Sequence, residues 1–383
     1  MRTNPVSWLW RRLENLAFLL AFVWLCEQWF GGFGEYLWSS VRNQGLLSEV
    51  RESLSRQRYD TLALIFINLC VSIFTLWEIT RTAVESWRRA PICSAGAGRW
   101  PLAFTALARS FKHTFMSAAF GAILPRLIVL DLFWLLQPHL QQLALIHVSL
   151  SWYGWLYALL VWDLATWVYH YSTHRVRLLW CLHSPHHAPV DMTITTAWVH
   201  FFAETYYTTT VQLLTLSILG VPAVMLAVLL AFEVTWGTLI HTGERVLRTG
   251  RLGILRFLIV TPSMHRVHHA RNPLYMDTNF CTLLPFIDWA LGTLQPLRDE
   301  VPPEYGITRN PDMTSFIDTY FGEFPALWKD LRSTPTLRLK LHYLLKPPGW
   351  TPEGSQHTAA AQRRAFLRTH PHLAVRWQPI KPH

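Results

Sequence analysis

Long apolar runs separated by polar connectors dominate the pattern of this chain. They lie at Leu16–Phe30, Thr61–Thr75, Phe115–Leu136, Ala144–Val168 and Tyr206–Ala231. The last three are long enough to cross a bilayer core, which takes about 20 helical residues, whereas the first two need their flanking residues. Gly220 and Pro222 divide the last run, so we predict a helical hairpin there instead of one straight helix. The pattern predicts an all-α integral membrane bundle, because a soluble protein with buried core helices rarely has runs this long.

The composition supports a membrane protein. Hydrophobic residues make up 51% of the chain and charged residues 15%, and the mean hydropathy is +0.18. The 20 tryptophans are typical of the aromatic belts at membrane interfaces. The formal charge of +10 comes without a basic stripe interleaved with aromatic residues, so attraction to anionic lipid explains it better than nucleic acid does. The five scattered cysteines argue against a disulfide framework and against cysteine-bound zinc or iron–sulfur clusters.

Histidines are concentrated in about a quarter of the chain, where nine of the 18 lie. These nine are His170, His174, His183, His186, His187, His241, His265, His268 and His269. Imidazoles three and four residues apart share one face of a helix, so each cluster can direct its ring nitrogens at one point. A tetrahedral metal ion is full with four ligands. Nine imidazoles therefore predict two metal ions.

The positive charges of the connectors predict an orientation in the membrane. Three arginines precede the first run and six cations lie between the second and third, whereas the connector 138–147 carries no charged residue. The positive-inside rule then places the N-terminus, the 78–113 loop and the histidine clusters on the cytoplasmic face. The 38–60 loop has four arginines against this orientation, but we weigh it less because three acidic residues accompany them. The first run lacks a small-residue cleavage site, so we expect an uncleaved anchor.

The histidines belong to an ordered set of motifs. The set comprises Asp163 before His170-x-x-x-His174, then Trp180-x-x-His183-x-x-His186-His187, His241, Thr261-Pro262-x-x-His265-x-x-His268-His269, Asn279, Asp288-Trp289 and Gly292-Thr293. In this set, residues 145–300 resemble the fatty acid hydroxylase superfamily, which includes the sterol desaturases. The Lys346–Trp350 segment is similar to the C-terminal extension of alkylglycerol monooxygenases and their bacterial relatives. The resemblance implies a helical membrane bundle whose cytoplasmic helical cap holds the metal ions.

Four positions depart from the pattern of that superfamily. Tyr171 replaces an arginine, no arginine follows Thr195-Thr196-Ala197, Phe280-Cys281 replaces Tyr-Gly after Asn279, and Asp288-Trp289 inverts the usual order. No ligand position is lost, so the departures leave the predicted metal site intact. They lie near where a substrate would sit, and we therefore transfer no specific lipid from the superfamily.

The chemistry of such a site follows from its ligands. Breaking an unactivated C–H bond needs a metal ion and O2, because no side chain is a strong enough oxidant. Imidazoles suit iron, zinc, copper and nickel, and zinc cannot change its oxidation state, which favours two iron ions. No glycine-rich dinucleotide fingerprint occurs, so we expect electrons from a separate electron-transfer protein or reductant. We therefore expect an O2-dependent di-iron enzyme that hydroxylates or desaturates a lipid substrate.

Several residues beside the histidines have two interpretations. Asp163 either accepts a hydrogen bond from a ligand histidine or is a structural partner of an arginine or tyrosine. Asn279 either binds a metal-held water, which we favour, or turns the chain. His200 and Glu204 are four residues apart, and we favour a surface pair over a tenth ligand with its partner. Pro185 is expected to start the helical turn that gathers the second histidine cluster.

The motifs divide the chain into three parts. Residues 1–140 are predicted to be N-terminal transmembrane helices with a cytoplasmic loop, 141–300 the catalytic domain, and 301–383 a C-terminal extension with a basic tail. We expect the chain beyond Pro352 to be loosely ordered, because it is polar and has little periodicity. Two other functions remain open: a membrane metal-binding or transport protein, which would need polar ligands along its spans, and a hydroxylase relative with structural metals only.

Overall fold

The computed structural model describes residues 124–374 except 245, 313 and 314, together with isolated positions at 16, 73, 77, 80, 81, 84 and 116. The predicted runs Leu16–Phe30 and Thr61–Thr75 lie outside this part, as does the beginning of the third run. The N-terminal loops whose charges predict the orientation also lie outside it.

The described part of the chain is helical. Its α-helices are α1 (Leu124–Gln142), α2 (Trp152–Arg175), α3 (Arg177–His187), α4 (Phe202–Ile218), α5 (Ala223–Ile240), α6 (Pro262–His269), α7 (Pro285–Ala290), α8 (Phe316–Phe321), α9 (Glu323–Ser333), α10 (Leu337–Leu345) and α11 (Ala359–Thr369). Short 3-10 turns span Ile194–Trp198, Gly253–Phe257 and Pro371–Ala374. Extended pairing is limited, among these residues, to two isolated bridges. The all-α prediction is confirmed for the described residues.

Helix α2 carries the first histidine motif on its buried side. The helix begins later than the apolar run, at Trp152, because the Ser151 side chain caps it by accepting from the Gly154 amide at 3.2 Å. It then continues beyond the run to Arg175. Asp163, His170 and His174 are all buried on this one helix, as their spacing of seven and four residues predicts.

Helices α4 and α5 form the predicted hairpin. Gly220 adopts a φ of +75°, and a Cβ there would lie 1.8 Å from the Ile146 carbonyl oxygen, so the turn needs glycine. The Leu145 amide donates to the Ile218 carbonyl at 2.8 Å and ties the connector before α2 to this turn. Among the described residues, α5 alone is long and apolar enough to cross a membrane.

The main core lies between α2, α4 and α5. Trp162 of α2 packs there with Leu213 and Leu216 of α4 and with Met225 and Leu226 of α5, all nearly inaccessible to solvent. The connector to α2 and the α4–α5 turn close one end of this bundle. The other end carries the histidines, because α2 reaches His174 and α5 leads directly into His241.

The C-terminal extension is more ordered than its sequence pattern suggests. The prediction that the chain beyond Pro352 is loosely ordered is wrong as far as residue 374. Thr358 caps α11 by accepting from the Ala361 amide. Arg363 then donates to the carbonyl of Leu274 and, at 2.7 Å, to the side chain of Gln295. These long-range contacts, which local periodicity does not reveal, hold the extension against the loop that follows α6.

Candidate metal centre

The nine predicted histidines come together in two neighbouring groups. One group consists of His170, His174, His183, His187 and His268, and the other of His186, His241, His265 and His269. Within each group the possible ligand atoms all lie within 4.8 Å of one another. Every one of these side chains is buried. Two groups of five and four imidazoles fit the prediction of two metal ions.

Helical spacing produces this grouping. His170 and His174 lie one turn apart near the end of α2, and His183 and His187 lie one turn apart at the end of α3. Pro185 does not start this turn as expected: it lies inside the last turn of α3, which begins at Arg177. Because His186 directly precedes His187 on α3, it points to the other group and links the two.

The ring nitrogens of the first group face one another at short distances. His183 Nε2 lies 3.2 Å from His170 Nε2 and 3.0 Å from His187 Nε2. His170 donates its Nδ1–H to the Phe280 carbonyl at 2.8 Å, and His183 donates its own to Glu204 at 2.5 Å. Their Nε2 atoms therefore carry lone pairs that repel each other unless a cation lies between them.

The second group repeats this arrangement. His241 Nε2 lies 2.8 Å from His265 Nε2 and 3.3 Å from His186 Nε2. His241 donates its Nδ1–H to the Gly237 carbonyl, and His186 donates to the Val199 carbonyl. Backbone acceptors outside the site thus fix the tautomer that leaves Nε2 free to bind a metal ion.

Burial keeps five of these nine rings neutral. Removal from water disfavours the imidazolium form and lowers the pKa of His241 to about 3. Burial together with neighbouring histidines lowers the pKa of His186, His187, His268 and His269 well below the ordinary value. Since metal binding requires deprotonated imidazole, the rings are in the form that ligation needs.

The donor set fits a pair of transition-metal ions. The Nε2 atoms of His174 and His268 are buried without a hydrogen-bond partner among the described residues. Orphaned buried acceptors are costly, and a shared cation would satisfy them together with the facing lone pairs. Neutral imidazoles suit iron, zinc, copper and nickel. Metal binding by these nine residues is the prediction that this geometry supports.

Glu204 lies buried beside the first histidine group, and not on the surface as the sequence predicts. The predicted surface pair with His200 is incorrect, because Glu204 is 1% exposed. Its two carboxylate oxygens accept from His183 at 2.5 Å and from His200 at 3.1 Å. His200 in turn stacks on His186, with ring centroids 4.4 Å apart.

Replacing Glu204 is expected to weaken metal binding. Glu204→Ala leaves the His183 ring without its acceptor, and loss of such a partner costs about 10–100-fold in metal affinity. Glu204→Gln keeps one oxygen acceptor and should lose less. Competition with a chelator measures the affinity, with the exposed Glu353→Gln as the matched surface control. Unchanged metal affinity in Glu204→Ala would contradict this role.

Asp163 contacts backbone, not a histidine. Its carboxylate accepts from the amides of Thr282, Leu283 and Leu284 at 3.2, 3.1 and 2.7 Å. Neither partner expected from the sequence is found among the described residues, because the carboxylate binds backbone amides and no ligand histidine, arginine or tyrosine. They tie α2 to the segment that leads into α7, two turns from His170.

Asn279 is likewise engaged with backbone. Its amide nitrogen donates to the carbonyls of Met264 and Gln295 at 2.9 and 2.8 Å, and its oxygen accepts from the Gln295 amide at 2.6 Å. The residue adopts a φ of +57°, which asparagine tolerates better than most residues. The favoured role of binding a metal-held water is therefore not supported, because these contacts occupy the side chain. Asn279 turns the chain and holds it against α6.

Two cavities reach the histidines from different sides. One, of about 90 Å³, is lined by His170, His183, His186, His241 and His265 together with threonines of α4 and α5. Its wall includes Glu233 of α5, which accepts from Trp162 at 2.9 Å. The other, of about 390 Å³, is lined by His174, His187, His268 and His269 and by Pro347, Pro348 and Gly349 of the extension. The centre thus has one face toward the apolar bundle and one toward the extension.

Residues 155–293 match the family model described as fatty acid hydroxylase. This part of the chain is therefore similar to the fatty acid hydroxylase superfamily. The matched segment contains both histidine groups and Glu204, and it ends at Thr293, which donates to Asp288.

The chain also has curated relatives. It is similar to the alkylglycerol monooxygenases of Xenopus tropicalis, 31% identical over 201 residues, and of Homo sapiens, 30% identical over 198 residues. Each alignment covers 52% of this chain and 43% of the relative. The alignments therefore span less than half the length of these proteins. No solved structure matches the chain.

Proposed function

We propose that the protein is a membrane-bound, O2-dependent di-iron oxidoreductase that hydroxylates or desaturates a lipid. The observation that carries the proposal is the pair of buried histidine groups, whose Nε2 lone pairs converge at one end of an apolar helical bundle. The fatty acid hydroxylase match supports a lipid-oxidising reaction. Because the relatives are named alkylglycerol monooxygenases, a glycerol ether lipid is the first substrate to test.

The atoms and electrons of the proposed hydroxylation balance as follows. A lipid C–H bond, O2, two electrons and two protons give a lipid C–OH group and water. A di-iron centre supplies O2 activation and electron transfer when it is bound. A separate electron-transfer protein or reductant supplies the electrons.

The residues of the chain hold and shape the centre. His170, His183 and His241 present Nε2 because their Nδ1–H groups are already donated elsewhere. The cavity on the bundle side is lined by residues of α2, α4 and α5, so a lipid carbon there would lie beside five of the histidines. Selective C–H oxidation requires that the protein orient the lipid carbon and shield the reaction from water.

The proposed location is an integral membrane one. Helices α2, α4 and α5 would lie in the bilayer, with the histidine end on the cytoplasmic face as the arginine and lysine distribution predicts. The apolar span Ala223–Ile240 supports this placement. It would bring the bundle-side cavity to the level at which a lipid chain enters from the leaflet.

Product analysis with labelled oxygen tests the reaction. Purified protein reconstituted with iron and a chemical reductant is offered an alkylglycerol, a fatty acid and a sterol under ¹⁸O2. Incorporation of one ¹⁸O atom into a lipid product, or loss of two hydrogens, supports the proposal and identifies the lipid class. If an iron-loaded protein oxidises no lipid from a membrane extract either, its metals are structural or are handled for another purpose.

Filling the bundle-side cavity is expected to block the lipid. A Cβ added at Gly237 would meet only the Thr282 methyl group at 3.7 Å, so Gly237→Ala should fold and act normally. Gly237→Leu projects into the cavity and should lower lipid oxidation by up to about 100-fold through misplacement of the substrate, with metal content unchanged. Normal activity of the leucine variant would show that the substrate uses another route.

A further inference from the structure

A set of large apolar side chains is exposed on two neighbouring segments beside the metal centre. The set, which we call the apolar rim, consists of Ile254, Leu255, Leu258, Phe286, Trp289 and Leu291. Ile254 is 76% exposed, Leu258 65% and Trp289 58%. The 253–257 turn contacts α7, so the two segments that carry the rim are neighbours. Clustered exposure of this size indicates a binding surface, because isolated apolar residues are the norm on a protein in water.

On helix α7 the acidic side chain faces inward and the aromatic side chains face outward, which is the reverse of a helix exposed to water. Its acid, Asp288, is 1% exposed and faces inward. The Asp288 carboxylate accepts from the Phe280 and Cys281 amides at 2.9 Å each and from the Trp167 indole at 3.2 Å. The outward side carries Phe286 and Trp289, whose rings are 5.9 Å apart. An inward carboxylate and outward aromatic rings suit surroundings of lipid.

The rim continues the apolar surface of α5. Val228, Phe232 and Leu239 are exposed along that helix. Near its histidine end, Trp236 of α5 donates its indole N–H to the Val260 carbonyl at 3.0 Å. This bond places the segment that follows the 253–257 turn beside the last turns of the apolar helix.

Basic side chains border the rim. Arg248 is exposed, and Arg251 and Arg256 are half-buried. Arg256 lies over the Phe257 ring at 5.1 Å, and Arg251 binds the exposed Asp299 at 2.5 Å. Apolar side chains with cations at their border match the boundary between acyl chains and anionic headgroups.

We infer that the apolar rim is embedded in the headgroup region of the phospholipid leaflet on the histidine side. The aromatic and aliphatic side chains enter the acyl boundary, and the arginines lie at the level of the phosphates. The inference rests on the proposed membrane placement of α5 and adds a contact outside the predicted spans. The rim would thereby fix how deep the metal centre lies in the leaflet.

Spin-label depth measurements test the inference. Ile254→Cys and Trp289→Cys are labelled with a nitroxide in full-length protein whose Cys26, Cys70 and Cys93 are replaced by serine, since Cys181 and Cys281 are buried. Nanodiscs of phosphatidylcholine with phosphatidylglycerol hold the protein. Collision with oxygen, which partitions into lipid, is compared with collision with a water-soluble nickel chelate. Both labels should lie about 5–10 Å below the phosphates, as interfacial segments do.

Two control positions separate the possible outcomes. Val228→Cys, on the exposed side of α5, reports the span itself, and Gln356→Cys, exposed on the extension, reports water. If Val228 is lipid-accessible while Ile254 and Trp289 collide mainly with nickel, the rim is in water and the inference is wrong. If the rim labels meet neither reagent, another protein copy covers them, which also overturns it. If the Val228 label itself collides mainly with nickel, α5 is not in the bilayer and the proposed membrane placement is wrong.

Discussion

Replacing His186 by alanine is expected to weaken the binding of one metal ion, and replacing His187 that of the other. The two residues are adjacent on α3, but His186 belongs to the group of four and His187 to the group of five. Each variant should keep one tightly bound metal ion per chain, because the other group retains all of its imidazoles. Lipid oxidation should fall by more than about 100-fold in both, since even outer partners of ligands cost 10–100-fold. Elemental analysis and product formation measure the two effects.

The control for this pair is His139→Ala. His139 is exposed on α1 and belongs to neither histidine group, so its variant should keep metal content and activity. His268→Ala removes a ligand from the group of five and should behave like His187→Ala. Full metal content together with full activity in His186→Ala or His268→Ala would contradict the ligand assignment.

Replacing Asp163 by alanine is expected to cause the largest loss of stability. Three backbone amides, at Thr282, Leu283 and Leu284, would lose their acceptor at once. Each buried unsatisfied group costs about 1–3 kcal/mol, so the free energy of unfolding should fall by about 3 kcal/mol or more. Metal should be lost together with the fold, because Asp163 touches no ligand histidine. Thermal unfolding of the metal-loaded protein in detergent measures the change.

Two variants show whether the Asp163 effect is specific. Asp163→Asn keeps one oxygen acceptor and should destabilise the protein less than alanine does. Asp299→Ala, at a residue that is 82% exposed, should stay within about 0.5 kcal/mol. An Asp163→Ala variant as stable as the wild type that had lost its metal would favour the direct role in the metal centre.

The metal centre was predictable from sequence to the extent that helical geometry determines it. Spacings of three and four residues on α3 and α6 place His183, His187, His265 and His268 on faces that the fold brings together. The count of nine imidazoles indicated two ions. The division into five and four was not predictable, because it depends on how α3 and α6 approach each other in space.

The residues around the histidines were less predictable. Glu204 binds His183 from 21 positions away and appears in sequence as one member of an ordinary i, i+4 pair with His200. Asp163 and Asn279 are the opposite case: their places in the motifs suggested chemistry, whereas their contacts are with backbone amides and carbonyls. No local pattern distinguishes an acid that binds a histidine from one that holds a loop.

Only part of the fold was predictable from the sequence, for the same reason. The α4–α5 hairpin was predictable because Gly220 and Pro222 interrupt an otherwise continuous apolar run. The order of the extension was not, because α11 is held by Arg363, which reaches Leu274 and Gln295 far earlier in the chain.

The most direct measurement of the central claim is metal content with Mössbauer spectroscopy of iron-57 protein purified in detergent. We expect about two iron ions per chain, one for each histidine group, with magnetic coupling between them. Zinc alone, with no lipid oxidation after anaerobic reconstitution with iron, would contradict it and indicate a structural or metal-handling role.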